Sequence, residues 1–176
     1  MAPFESQSGA TRAFPRHYEA KVRLDATPEA AFAHLDDFRK LSAHMEQPSP
    51  MLIGSRMSIT SDAGGGRAVG SNVHMQGQLL GMTIVLDETV TRRDPPWEKA
   101  WRASRANLIV IGRYELGFRL SPDGSGSVLR VFVDYERPGG GVAKWLGRLL
   151  GDAYARWCVH RMVGDAARHF VSSVAG

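Results

Sequence analysis

The sequence predicts an α+β fold in which a bent antiparallel β-sheet wraps around one long C-terminal α-helix. Residues 141–174 form the one long stretch where apolar residues recur every three or four positions. Most of the chain before Pro138 instead alternates apolar and polar residues and is broken at Gly, Pro and Asp clusters. A helix with one apolar face and a sheet with one apolar face must bury them against each other.

The first strand covers His17 to Leu24, where Tyr18, Ala20, Val22 and Leu24 alternate with polar neighbours. Asp25-Ala26-Thr27-Pro28 then starts a helix, with Thr27 as N-cap, Pro28 in the first turn and Glu29 favouring the positive helix end. Ala31, Phe32, Leu35 and Phe38 supply its buried face, and residues 39–45 suit a second short helix ended by Pro48 and Pro50. Ile53, Ser55, Met57 and Ile59 alternate up to the loop Ser61–Gly70. Val73, Met75, Gly77 and Leu79 follow, then a turn at Gly81 and the run Met82, Ile84, Leu86, Glu88, Val90. A strand over 97–108 turns Trp101 and Ala103 inward, and two more strands cover 110–120 and 128–136. Setting Leu120 opposite Ser127 pairs Phe118 with Leu129, Leu116 with Val131 and Tyr114 with Val133, which gathers the large apolar side chains on one face.

The final helix carries Val142, Leu146, Leu149, Ala153 and Trp157 on one face, and a slightly shifted stripe continues through Val163, Ala167, Phe170 and Val171. His160 falls on this stripe, and Cys158 falls mostly off it.

A chain of 176 residues with 43% hydrophobic and 23% charged residues suits one globular domain, expected over 17–176 behind a loose tail at 1–16. One cysteine forbids an internal disulfide and points to a reducing, cytoplasmic setting. No apolar run reaches the ~18 residues of a membrane span. The net charge of +4 is spread among acids along strands and helix without a basic stripe, so nucleic acid is not an expected partner.

The chain resembles the START-like (SRPBCC, Bet v 1-like) superfamily, in its polyketide cyclase/dehydrase and lipid-transport branch. The resemblance rests on Leu24-Asp25-Ala26-Thr27-Pro28-Glu29-Ala30-Ala31-Phe32, on the Gly70, Gly77, Gly81 spacing, on Glu88-Thr89-Val90-Thr91 before Pro95-Pro96-Trp97, and on Asp134-Tyr135-Glu136 before Pro138 and the closing helix. It covers residues 17 to 174 and implies a helix-grip fold: a strongly bent sheet gripping the last helix, with an apolar cavity between them.

The predicted inner faces line that cavity with Met57, Met75, Trp101, Tyr114, Leu116, Phe118, Val131, Val133, Trp157 and His160. Glu88 and His160 are the polar interruptions. Each suits either a partnered structural group or an anchor or acid/base group in an apolar pocket, and Arg102 or Arg105 is the expected partner of Glu88. The loop from Gly64 to Gly70 lacks the dinucleotide fingerprint and precedes a strand, no Ser sits in a nucleophile elbow, and the histidines form no H-E-x-x-H pair. The expectation is therefore a binding protein for an apolar or amphipathic small molecule (lipid, quinone, steroid or polyketide-like), with no cofactor or metal. A cyclase/aromatase- or hydratase-like enzyme using the same cavity is the alternative. Trp145, Leu146, Leu149 and Leu150 form an apolar edge at the start of the last helix, flanked by Lys144 and Arg148, and suit weak contact with a membrane surface.

Overall fold

The computed structural model describes residues 14–37, 57–62, 65–79, 82–106, 111–139 and 141–172. In chain order they form β1 (Arg16–Leu24), α1 (Pro28–Leu35), β2 (Met57–Ser61), β3 (Asn72–Leu79), β4 (Met82–Asp94), β5 (Glu98–Ala106), β6 (Tyr114–Asp123), β7 (Gly126–Tyr135) and α2 (Gly141–Ser172). The strands make one antiparallel sheet in the order β1-β7-β6-β5-β4-β3-β2. The first strand thus pairs with the last, across nine residues from Arg16 opposite Tyr135 to Leu24 opposite Ser127. The expected second helix at 39–45, together with Phe38, Ile53 and Ser55, lies outside the described residues.

α1 forms as its sequence dictates. The Thr27 side chain accepts from Ala30 N, Pro28 opens the first turn, and Ala31, Phe32 and Leu35 are buried on the face it turns to β6 and β7. The β6–β7 hairpin differs from expectation by two residues: Leu120 lies opposite Leu129, Phe118 opposite Val131, Leu116 opposite Val133 and Tyr114 opposite Tyr135. Asp123 pairs with Gly126, so the turn consists of Gly124 and Ser125, with Gly124 at φ +60°. Pro122 is drawn into the strand, opposite Ser127. A shift of two keeps every side chain on its face, so the buried set is unchanged.

The larger correction concerns α2. Its buried side is Gly147, Gly151, Ala155, Val159, Met162, Val163, Ala166 and Phe170, which packs mainly on β1 and β7. Leu149 and Ala153, expected inside, are exposed, and Trp157 is half-buried; the side chains of Val142 and Leu146 lie outside the described residues. The physical reason is closeness. Gly147, Gly151 and Ala155 let the helix backbone settle on the sheet, and branched residues one turn round would hold it off.

On the outer face of the sheet Phe132 is buried because its ring lies across Gly117, under the Arg119 guanidinium. A methyl at residue 117 would come within 2.7 Å of Lys99 O and 2.7 Å of Phe132 Cζ. Gly117→Ala should therefore destabilise the fold by about 1–3 kcal/mol. The measurement is denaturant unfolding, and an unchanged midpoint would show that β5 and Phe132 yield freely.

Candidate functional site

β4 and β5 decide which polar groups reach the interior. Along β4, Ile84, Leu86, Glu88 and Val90 point inward and are buried. Two register breaks then interrupt the ladder. Asp87 pairs with Arg105 and Glu88 with Ala103, which leaves Ser104 unpaired; Val90 pairs with Trp101 and Arg92 with Ala100, which leaves Thr91 unpaired. Each extra residue reverses the in–out alternation beyond it. Past Thr91 the inward residue is therefore Arg93 rather than Arg92, opposite Lys99.

Glu88 is 3% exposed, and small Ala103 stands opposite it. Tyr114 Oη on β6 donates a hydrogen bond to Glu88 Oε1, while Oε2 has no hydrogen-bond partner among the described residues. Burial pushes the Glu88 carboxyl up to about 7, against opposing hydrogen bonds from the Tyr114 hydroxyl and, more weakly, the Trp101 indole. Burial, with the Glu88 charge and hydrogen bond, also raises Tyr114 well above the usual phenol range. From α2 come Tyr154 and Cys158, one helical turn apart and in contact with each other; both feel the Glu88 charge. Burial drives the Cys158 thiol up to about 12, so it stays protonated and unreactive. Taken as whole residues, both are half-buried. A carboxyl, two phenols, a thiol and an indole thus meet where the middle of the sheet faces the helix.

A second buried cluster lies at the foot of α1. Lys99, 0% exposed, donates from Nζ to Asp36 O at 2.7 Å and to Asp36 Oδ1 at 2.8 Å. Arg93 donates from Nε to Asp36 Oδ1 at 3.1 Å and from its Nη2 to Oδ2 at 2.9 Å, with its guanidinium over the Phe32 ring. Burial alone would raise the Asp36 carboxyl, but these donors hold it below its ordinary value; burial lowers Lys99, with Asp36 opposing. Sequence reasoning missed this cluster. Lys99 was readable, two residues before inward Trp101, whereas Arg93 was hidden by the bulge at Thr91.

The interior places Met75, Trp101, Tyr114, Phe118, Val131 and Val133 among buried residues of the core, with Leu116 partly buried beside them. The Met57 side chain lies outside the described residues. His160 does not belong to the interior. It is exposed, with Nε2 2.8 Å from Tyr18 Oη, because α2 turns the opposite side to the sheet. Cys158, expected mostly off the inner stripe, is instead one of the groups facing Glu88. Arg102 is not the partner of Glu88 either: it points to the outer face and, with Arg92, binds the buried Glu115 at 2.9 Å. The side chain of Arg105, the other expected partner, lies outside the described residues. Among the described residues no group of three His, Cys, Asp or Glu could hold a metal ion, and no helix is long and apolar enough to cross a membrane.

The Glu88 shift has a stability consequence with a definite sign. A carboxyl raised from 4.5 to about 7 on folding binds its proton more tightly in the native state. Its favourable contribution is complete below about pH 4.5 and is lost as pH rises through about 7, by on the order of 3 kcal/mol. Glu88→Gln keeps an acceptor for Tyr114 and does not titrate. Urea unfolding across that range should show the variant gaining on the wild type as pH rises; a pH-independent difference would mean that Glu88 has an ordinary carboxyl.

The fold is shared with proteins of known structure. A protein from Thermus thermophilus superposes with a TM-score of 0.64 at 13% identity, over 90% of this chain and 99% of that one. The Zhui aromatase/cyclase from Streptomyces sp. R1128 gives 0.58 at 16% identity, over 87% and 94%. The ginseng major latex-like protein 151 from Panax ginseng gives 0.54 at 15%, over 88% and 97%. No curated protein matches the sequence. A family model described as polyketide cyclase / dehydrase and lipid transport matches residues 15–174, nearly the whole chain. The bent seven-stranded sheet closed on a long helix is the helix-grip fold, and the chain belongs to the polyketide cyclase/dehydrase and lipid-transport family.

Proposed function

We propose that this protein binds a hydrophobic or amphipathic small molecule, of the lipid, quinone, steroid or polyketide kind, between the inner face of its sheet and α2. The observation that carries this reading is Leu116. It faces inward between Tyr114 and Phe118, opposite Val133 and beside Trp101, all four buried, yet Leu116 itself is only half-buried. An inward apolar side chain that the packing leaves accessible marks surface that a ligand can cover. Desolvating such surface contributes roughly 25 cal/mol per Å2. Trp101, Tyr114, Phe118 and Val133 supply the apolar wall, and Glu88 the polar end.

A second reading has a specific observation in its favour. A carboxyl held near pH 7, hydrogen-bonded to a buried phenol, suits proton transfer in a cyclisation or dehydration. Family membership supports either reading.

Native mass spectrometry of the purified protein should detect a co-purified apolar compound. Adding that compound back to stripped protein should quench the fluorescence of Trp101, and Trp101→Phe should remove much of that change. Conversion separates the readings: a carrier leaves the compound unconverted in wild type and Glu88→Gln alike, whereas an enzyme converts it and Glu88→Gln binds it without conversion. Absence of any bound or bindable apolar compound would sink both.

The edge of α2 also supports weak contact with a membrane surface, where apolar ligands are exchanged. Leu149 is 70% and Leu150 49% exposed, next to Arg148. The side chains of Lys144 and Trp145, expected to share this role, lie outside the described residues. Anionic liposomes at low salt should pellet the wild type more than Leu149→Glu/Leu150→Glu. Equal, negligible pelleting would remove the membrane role and leave the interior untouched.

A further inference from the structure

We propose that the ligand's polar end is a hydroxyl, an alcohol or phenol, hydrogen-bonded to Glu88 Oε2 while Tyr114 holds the other carboxyl oxygen. This rests on the ligand-binding reading above and names the chemistry of its anchor.

Glu88 is buried; Tyr114 Oη donates to one of its oxygens, the Trp101 indole bonds more weakly to the carboxyl, and Oε2 has no hydrogen-bond partner of ordinary geometry among the described residues. A buried oxygen left unpaired is destabilising, and a ligand group that bonds there restores what was lost. The groups that face Glu88 are Tyr114 from β6, Trp101 from β5, and Tyr154 and Cys158 from α2. All are neutral. The inner-face cations Lys99 and Arg93 are committed to Asp36 at the foot of α1, and Arg102 and Arg92 to Glu115 on the outer face. Among the groups that act on the Glu88 carboxyl none is a cation, so nothing placed there favours an anionic head such as a carboxylate or phosphate.

The two protonation states of Glu88 then sort the neutral and charged heads. Ionised, Oε2 can only accept, so it welcomes a hydroxyl or an ammonium and repels a carboxylate. Protonated, Oε2 can donate to a hydroxyl or a carboxylate but offers an ammonium no counter-charge. A hydroxyl both donates and accepts, and so bonds to Glu88 in either state. With the carboxyl changing state at about 7, a hydroxyl is the head whose binding survives across the neutral range.

The test uses three probes that differ only in the head, decanol, decanoate and decylamine, below their micellar concentrations. Binding is followed by titration calorimetry at about pH 6 and about pH 9, either side of the Glu88 transition but with decanoate ionised and decylamine protonated at the lower value. For the wild type, decanol affinity should stay within about threefold between the two conditions. Decanoate should weaken by about tenfold or more on going to the higher pH, and decylamine should strengthen by a similar factor. Glu88→Gln, which keeps an acceptor for Tyr114, should flatten all three pH dependences while still holding decanol. Glu88→Leu should lose about tenfold in decanol affinity.

Equal binding of decanol and decanoate by the wild type at high pH would overturn the proposal and leave ligand binding standing. So would a Glu88→Gln variant that retains the wild-type pH dependences, an outcome that does not depend on Glu88→Leu folding. Failure of all three probes to bind the wild type would overturn the ligand-binding reading itself, and the hydroxyl anchor with it.

Discussion

The phase of β4 against β5 is the constraint on which the interior depends. A strand shows alternate residues to the core, so one unpaired residue exchanges the inside and outside for everything beyond it. Here the unpaired Ser104 and Thr91 lie on opposite strands, on either side of the segment that carries Glu88, Val90 and Trp101. Between them a carboxylate enters the core. Beyond Thr91 an arginine takes the inward position, and Arg92 turns out to meet Glu98 and Glu115. Without the Thr91 bulge Arg93 would point to solvent, and Lys99 and Asp36 would lose their third partner.

That third partner matters because a buried lysine and a buried carboxylate are costly to desolvate. The Asp36 carboxylate accepts from two nitrogens of Arg93 and from Lys99, and its backbone carbonyl accepts a further hydrogen bond from Lys99. The carbonyl belongs to the residue that caps α1, so the cluster anchors the helix end to the sheet as well as satisfying the charges. A comparable arrangement holds the other helix. Asp152 of α2 accepts from Tyr135 at 2.6 Å, from Arg16 at 3.2 Å and from Arg137 at 3.1 Å. The Tyr135 hydrogen bond leads the effects that hold the Asp152 carboxyl below its ordinary value, and burial pushes Tyr135 up to about 12.

Glu88 stands apart from these two carboxylates. No cation acts on it, whereas Asp36 binds Arg93 and Lys99 and Asp152 binds Arg16 and Arg137, and its acidity moves in the opposite direction. Asp36 and Asp152 are thus neutralised by cations, while the carboxyl in the middle of the inner face is left with one unpaired oxygen. This difference in partners is the observation behind the ligand anchor proposed for Glu88. The nearby Cys158 adds no reactivity, since its thiol is held protonated, but it contributes a polar wall without charge.

What the sequence determined by itself was the local part: strands from alternation, α1 from Thr27-Pro28-Glu29, and a long last helix. It also determined that Glu88 interrupts an apolar run. These follow from periods of two and 3.6 and from short-range capping, which neighbours in the chain decide among themselves. The residues quoted for the family resemblance were legible for the same reason. The tertiary structure alone decided which side of the first half of α2 is buried, whereas Val163 and Phe170 further on are buried as their spacing predicts. Counting apolar residues favoured Leu149, Ala153, Trp157 and His160, but a helix that lies close to a sheet needs small residues at the contact, and Gly147, Gly151 and Ala155 supply them. It alone decided the partner of Glu88, because Tyr114 is 26 residues away and reaches it across the intervening strand β5. It also decided that Arg93 turns inward, because a bulge is a property of two paired strands and leaves no mark on either sequence when each is read alone.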